Sequence, residues 1–495
     1  ADFQSLKILL LKSVSKHIDI FLQLEPAEKK AFLLYLDSPY FNKMSRLQSL
    51  AHLLYHAEDP QSLTHEDIFK QAYGKKVAFK EQLVYDILSQ FGRQLGQFLA
   101  LRQFEQDSMS QQRYHLAALG ELKHEKAFQR QASQTFKSLD KIPFQDQQQL
   151  QARYEIHREI SVFEANMQRR DDDQQLVKTV QYLDLSYWSA RLKYSCELLN
   201  RQNILQSSQE DDAVTPVIQG WHTLTEAQQQ QPALQVYWQL FQLLKEPENT
   251  EQYHHWMNWL EAHFEAFSAD ELRDLYSYAQ NYCIRRINQG DHPFLSYLFR
   301  LFESLVEKNL VLDGEIMDHR KLKNMVTVGI RLKAFEWVGN LLENYREKLL
   351  VEYQQDAYLF NLASLRYAQG RHAEALELLQ QVEFKDIFYA LSAKSLMLKL
   401  YYESDEDTAL EFLMETFRLF LQRNRLLNPF QRKVHLNLLR FTRKLYRLRD
   451  QRTILPKNQF ETRIQQLAET IRTAEDVPNR SWLLQQAELL IPQPA

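Results

Sequence analysis

An all-α fold is predicted by three features of this 495-residue chain. Glycine numbers only 10, about 2 % where roughly 7 % is usual, so the turns and phosphate loops of α/β folds lack their main residue. Leu, Gln, Glu, Lys, Arg and Ala dominate instead, and these lose little on entering a helix. The third feature is a repeat. Leu362, Tyr367, Ala375, Leu376 and Leu379 recur 34 residues later as Leu396, Tyr401, Ala409, Leu410 and Leu413. A looser copy lies 37 residues upstream at Met325, Ile330, Val338 and Leu342. One helical hairpin of this length cannot bury its apolar face alone, so neighbours stack.

The elements follow in order. Leu6–Leu11 is too short and too charged, through Lys7 and Lys12, for a signal segment. Pro26 suits the first turn of a helix, and Phe32, Tyr35 and Leu36 give it an apolar side. Asp37-Ser38-Pro39 should stop it. Asn42 or Ser45 is placed to cap a second helix running to His56. Tyr73-Gly74 marks a break before a helix carrying Leu83, Ile87, Phe91, Leu95 and Phe98. Residues 111–172 read as two long polar helices parted by Lys141-Ile142-Pro143, with Asp171-Asp172-Asp173 as a loop. Further helices are predicted through Leu183, Tyr187, Leu192, Cys196 and Leu199, then near 216–228, 233–245, 250–266, 270–289 and 293–309. The organisation expected is an N-terminal helical domain (1–108), a polar connector (109–174), stacked hairpins (175–428) and basic C-terminal capping helices (429–495).

The string DAYLFNLASLRYAQGRHAEALELLQQVEF at 356–384 resembles the tetratricopeptide repeat, with Leu362, Ala363, Gly370, His372, Ala375 and Leu379 at its motif positions. Its tyrosine stands one residue late, at Tyr367. Ser38-Pro39-Tyr40-Phe41-Asn42, Lys323-Asn324 and Tyr401-Tyr402-Glu403 also resemble a family of bacterial helical-repeat proteins. Both resemblances imply a TPR-like α-solenoid after the N-terminal domain, and the first implies partner binding along a concave face of first helices. Carried over by position, that face holds Lys323, Thr327 and Arg331, then Phe360, Ser364 and Tyr367, then Lys394, Leu398 and Tyr401. Lys323 and Asn361 match two positions of the carboxylate clamp some tetratricopeptide proteins use, but Thr327 departs from it.

The net charge of −4 conceals an asymmetry. Residues 418–457 hold 12 Lys or Arg and one acid, Asp450, a local +11 against −15 elsewhere. Arg440, Arg443, Lys444 and Arg447 share one helix face, and Leu438, Phe441, Leu445 and Leu448 another. Such cations suit phosphate or carboxylate, with Phe430 and Tyr446 as candidate stacking residues. The competing reading is internal: Glu403, Asp405, Glu406, Asp407, Glu411 and Glu415 lie just upstream and would neutralise the block in place.

Catalytic patterns are missing: there is no nucleophile elbow and no dinucleotide fingerprint, and Gly74-Lys75-Lys76 lacks the rest of a phosphate loop. His52 and His56 stand at i, i+4 without the glutamate of a zinc-protease motif, and Glu58 and His65 would join them only through a folded-back loop. His254-His255, among Tyr253, Trp256 and Trp259, reads as packing. Cys196 and Cys283 read as small buried residues of a reducing compartment. No segment reaches the length of a membrane span. The expectation is a cytoplasmic, bacterial, non-catalytic protein–protein interaction scaffold with no cofactor and no metal. A nucleic-acid-associated regulatory role through the basic helices is the second reading.

Overall fold

The computed structural model describes residues 16–168, 173–205, 214–382 and 386–491. Leu6–Leu11 and Asp171-Asp172 lie outside them. Among the described residues every regular element is helical, and strand-type pairing is confined to two isolated bridges, Asp313–Ile316 and Met317–Leu349. No helix is long and apolar enough to cross a membrane. The chain divides into two units, Ala1–Ser195 with Asp212–Trp238, and Cys196–Asp211 with Gln239–Ala495.

In the first unit, helical residues 16–23 (α1) precede α2 (Pro26–Asp37), α3 (Ser45–His56), α4 (His65–Tyr73) and α5 (Glu81–Gln106). Pro26 opens α2 and the helix stops at Asp37, as the proline signals predict. Asn42 does not cap α3; it is buried and bonds Leu36 O (2.9 Å) and the Met44 N–H (2.9 Å), tying the turn instead. The rings of Phe21, Phe32 and Phe91 meet at centroid distances of 5.5–5.8 Å to centre the core.

Next come α6 (Ser108–Glu121), α7 (Glu125–Asp140) and α8 (Gln147–Asn166). The first of the two long polar helices expected here is therefore broken. Lys123 takes a left-handed φ of 53°, and His124 N–H bonds Leu119 O at 3.2 Å, a Schellman stop with no glycine to announce it. α9 (Gln174–Leu205) bridges the two units covalently, followed by α10 (Val214–Trp221), α11 (Glu226–Gln229) and α12 (Pro232–Lys245). The helix expected at 216–228 is thus two short pieces.

The second unit continues with α13 (Thr250–Ala262), α14 (Ala269–Asn288), α15 (Phe294–Glu307), α16 (His319–Arg331), α17 (Phe335–Tyr345), α18 (Val351–Ala368), α19 (His372–Gln380), α20 (Ile387–Glu403) and α21 (Asp407–Arg423). Then come α22 (Pro429–Asp450), α23 (Lys457–Thr473) and α24 (Arg480–Leu490). From α16 to α21 each helix packs on its hairpin partner, and first helices touch in succession, α16 with α18 and α18 with α20. Cys196 and Cys283 are both buried, and Cys283 Sγ lies 3.1 Å from the Tyr253 hydroxyl. His254 packs against Tyr253, Phe294 and Tyr297.

The three hairpins share one turn. Lys333 (φ 59°), Gly370 (φ 77°) and Asp405 (φ 56°) occupy the left-handed position. The bonds Ala334 N–H to Gly329 O (2.9 Å), Arg371 N–H to Arg366 O (2.9 Å) and Glu406 N–H to Tyr401 O (3.0 Å) close it. A low-glycine chain thus places L-residues where they are strained by about 1–2 kcal/mol. Lys333→Gly is expected to raise stability by about 0.5–1 kcal/mol, and Gly370→Ala to lower it by about 1 kcal/mol. Denaturant midpoints moving in the same direction for both would refute the strain account.

The hairpin geometry also resets the repeat. α18 and α20 end at Ala368 and Glu403, and their turns stand at Gly370 and Asp405, both 35 apart rather than 34. Burial follows this register: Ala363 pairs with Leu398, Ala375 with Leu410 and Leu379 with Met414, all in the core. The upstream copy keeps its spacing of 37, with Val338 and Leu342 buried like Ala375 and Leu379.

Candidate functional site

α16 begins at Asp318, whose carboxylate accepts the N–H groups of Arg320 and Lys321 at 2.8 Å. Leu322, Met325, Val326 and Gly329 face the core, which leaves Lys323, Thr327 and Arg331 along another side. A Cβ at Gly329 would stand 2.5 Å from Val338, so this glycine is what lets α16 and α17 approach. Lys323 is half-buried. Its ammonium bonds the Ser392 hydroxyl and lies over the rings of Phe360 (5.5 Å) and Tyr389 (5.2 Å), and burial holds it below the usual lysine range. Thr327 and Arg331 are exposed.

On α18, Phe360 is buried, and the Ser364 hydroxyl donates back to Phe360 O at 2.9 Å. Asn361 is also buried, donating to Ala357 O (2.8 Å) and the Tyr389 hydroxyl (3.4 Å), so it is not on an open face. The Tyr367 hydroxyl donates to Glu403 Oε1 at 2.8 Å.

On α20 the carried-over positions are displaced by one residue. Leu398 is fully buried in the core of the C-terminal helices and offers nothing to a partner. Tyr401 packs half-buried on that core, and Lys394 lies half-buried over the Phe420 ring at 5.3 Å, its ammonium lowered by burial. The corrected register puts Ser395, Lys399 and Tyr402 in line with Phe360, Ser364 and Tyr367, and of these Ser395 and Tyr402 are buried. Lys399 lies 5.8 Å from both the Tyr367 and Trp482 rings, and burial pushes it down to about 8 against the raising effect of Glu403. Glu403 Oε1 accepts from Tyr367, Trp482 Nε1 (2.6 Å) and Gln486 Nε2 (3.2 Å), and Oε2 stands 3.7 Å from His372. This end of the face is closed by α24. Glu403 belongs in sequence to the acidic run, and no local signal marks Trp482 or Gln486 as its partners.

α22 starts on a capping box between Asn428 and Gln431 with Pro429 at its first turn. It buries Leu438, Phe441 and Leu445. The acidic run neutralises part of its charge: Arg449 binds Asp405 and Asp407, and Arg443 reaches Glu415 at 3.9 Å. Arg440, Lys444 and Arg447 are exposed and make no ion pair among the described residues. They form a row about 10 Å long. Phe430 is exposed, whereas Tyr446 packs on the C-terminal core.

His52 and His56 are exposed, with parallel rings 6.1 Å apart, while His65 turns to Glu81 at 3.5 Å. Among the described residues no three His, Cys, Asp or Glu are grouped to hold a metal ion. Searches of protein-family models, curated proteins and solved structures find no match for the chain.

Proposed function

We propose that the protein is a non-catalytic interaction scaffold built on TPR-like helical hairpins, and that it docks a protein partner bearing an acidic face. The observation that carries this reading is the uneven fate of the α22 cations. Arg443 and Arg449 are paired internally, but Arg440, Lys444 and Arg447 stand exposed without a carboxylate. A row of unopposed cations speeds encounter with an acidic surface and fixes its orientation. Exposed Thr327 and Arg331 extend the polar surface along the hairpins, with half-buried Lys323 and Ser364 beside them. The resemblance to bacterial helical-repeat proteins supports a bacterial cytoplasmic setting.

The same row fits phosphate, which keeps a nucleic-acid-associated role as the second reading. One experiment separates them: affinity capture from the source lysate, with and without nuclease, by the wild type and by Arg440→Gln/Lys444→Gln/Arg447→Gln. We expect a protein set that survives nuclease and falls about tenfold in the triple variant, at an unchanged melting temperature because all three side chains are exposed. Equal capture by the variant sinks the proposal. Loss of the whole set on nuclease treatment transfers it to nucleic acid.

A further inference from the structure

The first unit holds a recess of about 710 Å³ between α7, α8, α9 and α11, within the size range of pockets for small ligands. Its floor is a ladder of rings. His157 stacks on Tyr182 at 5.0 Å and 10°, and Phe136 follows at 4.8 Å from His157. His157 is buried between its neighbours, so Tyr182, half-buried on the recess wall, has one face taken. No other ring covers its opposite face among the described residues.

The polar groups around this ring are of two kinds. Lys178 is one turn before Tyr182, on the same side of α9. It is exposed and has no ion pair among the described residues, whereas Arg153 is held by Asp140 at 2.8 Å. The recess therefore has a surplus positive charge. Gln181 and Gln231 also line it, and neither side chain makes a hydrogen bond among the described residues. Each amide presents a donor beside an acceptor, the pattern that matches the edge of a nucleobase. The wall thus carries an aromatic plane, two free amides and one free cation. Neutral sugars would leave the cation unused, and inorganic anions would leave the ring unused.

We propose that this recess binds a nucleoside monophosphate, its base stacked on the open face of Tyr182, its base edge met by Gln181 and Gln231, and its phosphate by Lys178. Base–aromatic stacking and one charge-assisted contact are the terms that would hold it. The site shares no residue with the scaffold surface, so the two proposals stand or fall separately.

The test is titration calorimetry of the full chain with AMP, GMP, CMP and UMP, with adenosine, ribose 5-phosphate and anthranilate as partial ligands. At least one nucleotide should saturate with a Kd below about 1 mM and bind about tenfold more tightly than adenosine or ribose 5-phosphate. Lys178→Gln should weaken it about tenfold and flatten its salt dependence, and Gln231→Leu should alter the preference among bases. Lys178 is exposed and half-buried Gln231 makes no side-chain hydrogen bond among the described residues, so circular dichroism should be unchanged. Tyr182→Leu should abolish binding, but this variant is interpreted only alongside the other two because it unstacks His157. No saturation by any of the four nucleotides overturns the proposal. So does a Kd indifferent to both Lys178→Gln and Gln231→Leu, or tighter binding of anthranilate than of every nucleotide.

Discussion

Glu403→Ala is expected to destabilise the second unit by about 3–5 kcal/mol, the cost of removing one partner from a buried charged network. Its carboxylate is only 16 % exposed and serves three donors at one oxygen, from Tyr367, Trp482 and Gln486. Alanine leaves an indole N–H and a phenol without an acceptor, each a desolvation loss of about 1–3 kcal/mol. It also strips the nearest opposing charge from Lys399, whose ammonium burial already disfavours. Glu403→Gln keeps one carbonyl oxygen and should cost roughly 1–2 kcal/mol. Urea titration followed by tryptophan fluorescence reads both, since Trp482 donates to the carboxylate. A loss below about 1 kcal/mol for the alanine variant would mean that water replaces the carboxylate freely and that α24 is not held there.

In sequence Glu403 is continuous with the acidic run. Its neighbours Asp405 and Asp407 do turn outward, to Arg449, and only the helix end separates them from it. What draws Glu403 inward are residues 79 and 83 positions later, on a helix whose docking site no local pattern records. The same holds for Phe136, His157 and Tyr182, which come from three helices. Patterns of charge on one helix are another matter. Arg440, Lys444 and Arg447 share a face because helical spacing dictates it, and the buried stripe of Leu438, Phe441 and Leu445 follows from the same period.

The repeat shows the limit of residue identity. Tyr367 and Tyr401, like Ala375 and Ala409, stand 34 apart, yet the helices end 35 apart and Leu398 falls in the core. A slip of one residue turns a helix face by about 100°, and both registers keep an apolar stripe in a leucine-rich segment. Identity between two tyrosines therefore outweighed burial, which no sequence shows directly. The looser upstream copy, with fewer identities, had the correct spacing because Val338 and Leu342 match buried positions. The class of fold was legible from composition. The residues along one side of α20 were legible only to within one position.

Acidification from pH 6.5 to 4 should remove up to about 3 kcal/mol of stability through His157 alone. The imidazole is buried between Phe136 and Tyr182, and Gln175 Nε2 lies 2.6 Å from its Nδ1. Burial first, then the charges of Lys178 and Arg153, push its pKa down to about 4 from an ordinary 6.5. Between these values the unfolded chain binds a proton that the folded chain refuses, so stability falls with pH at up to about 1.4 kcal/mol per unit. Above 6.5 both states are neutral and the contribution is complete. Carboxylates with lowered pKa, such as Glu28 and Asp107, add losses of the same sign only near and below the carboxylate range. His435, also held below the usual histidine range by burial, adds a loss of the same sign between 6.5 and 5. His157→Phe keeps a ring in the stack and cannot titrate, so its urea midpoints should fall less steeply than those of the wild type in that interval. Parallel slopes for the two proteins would show that His157 accepts its proton in the folded state and that the ring ladder opens to admit it.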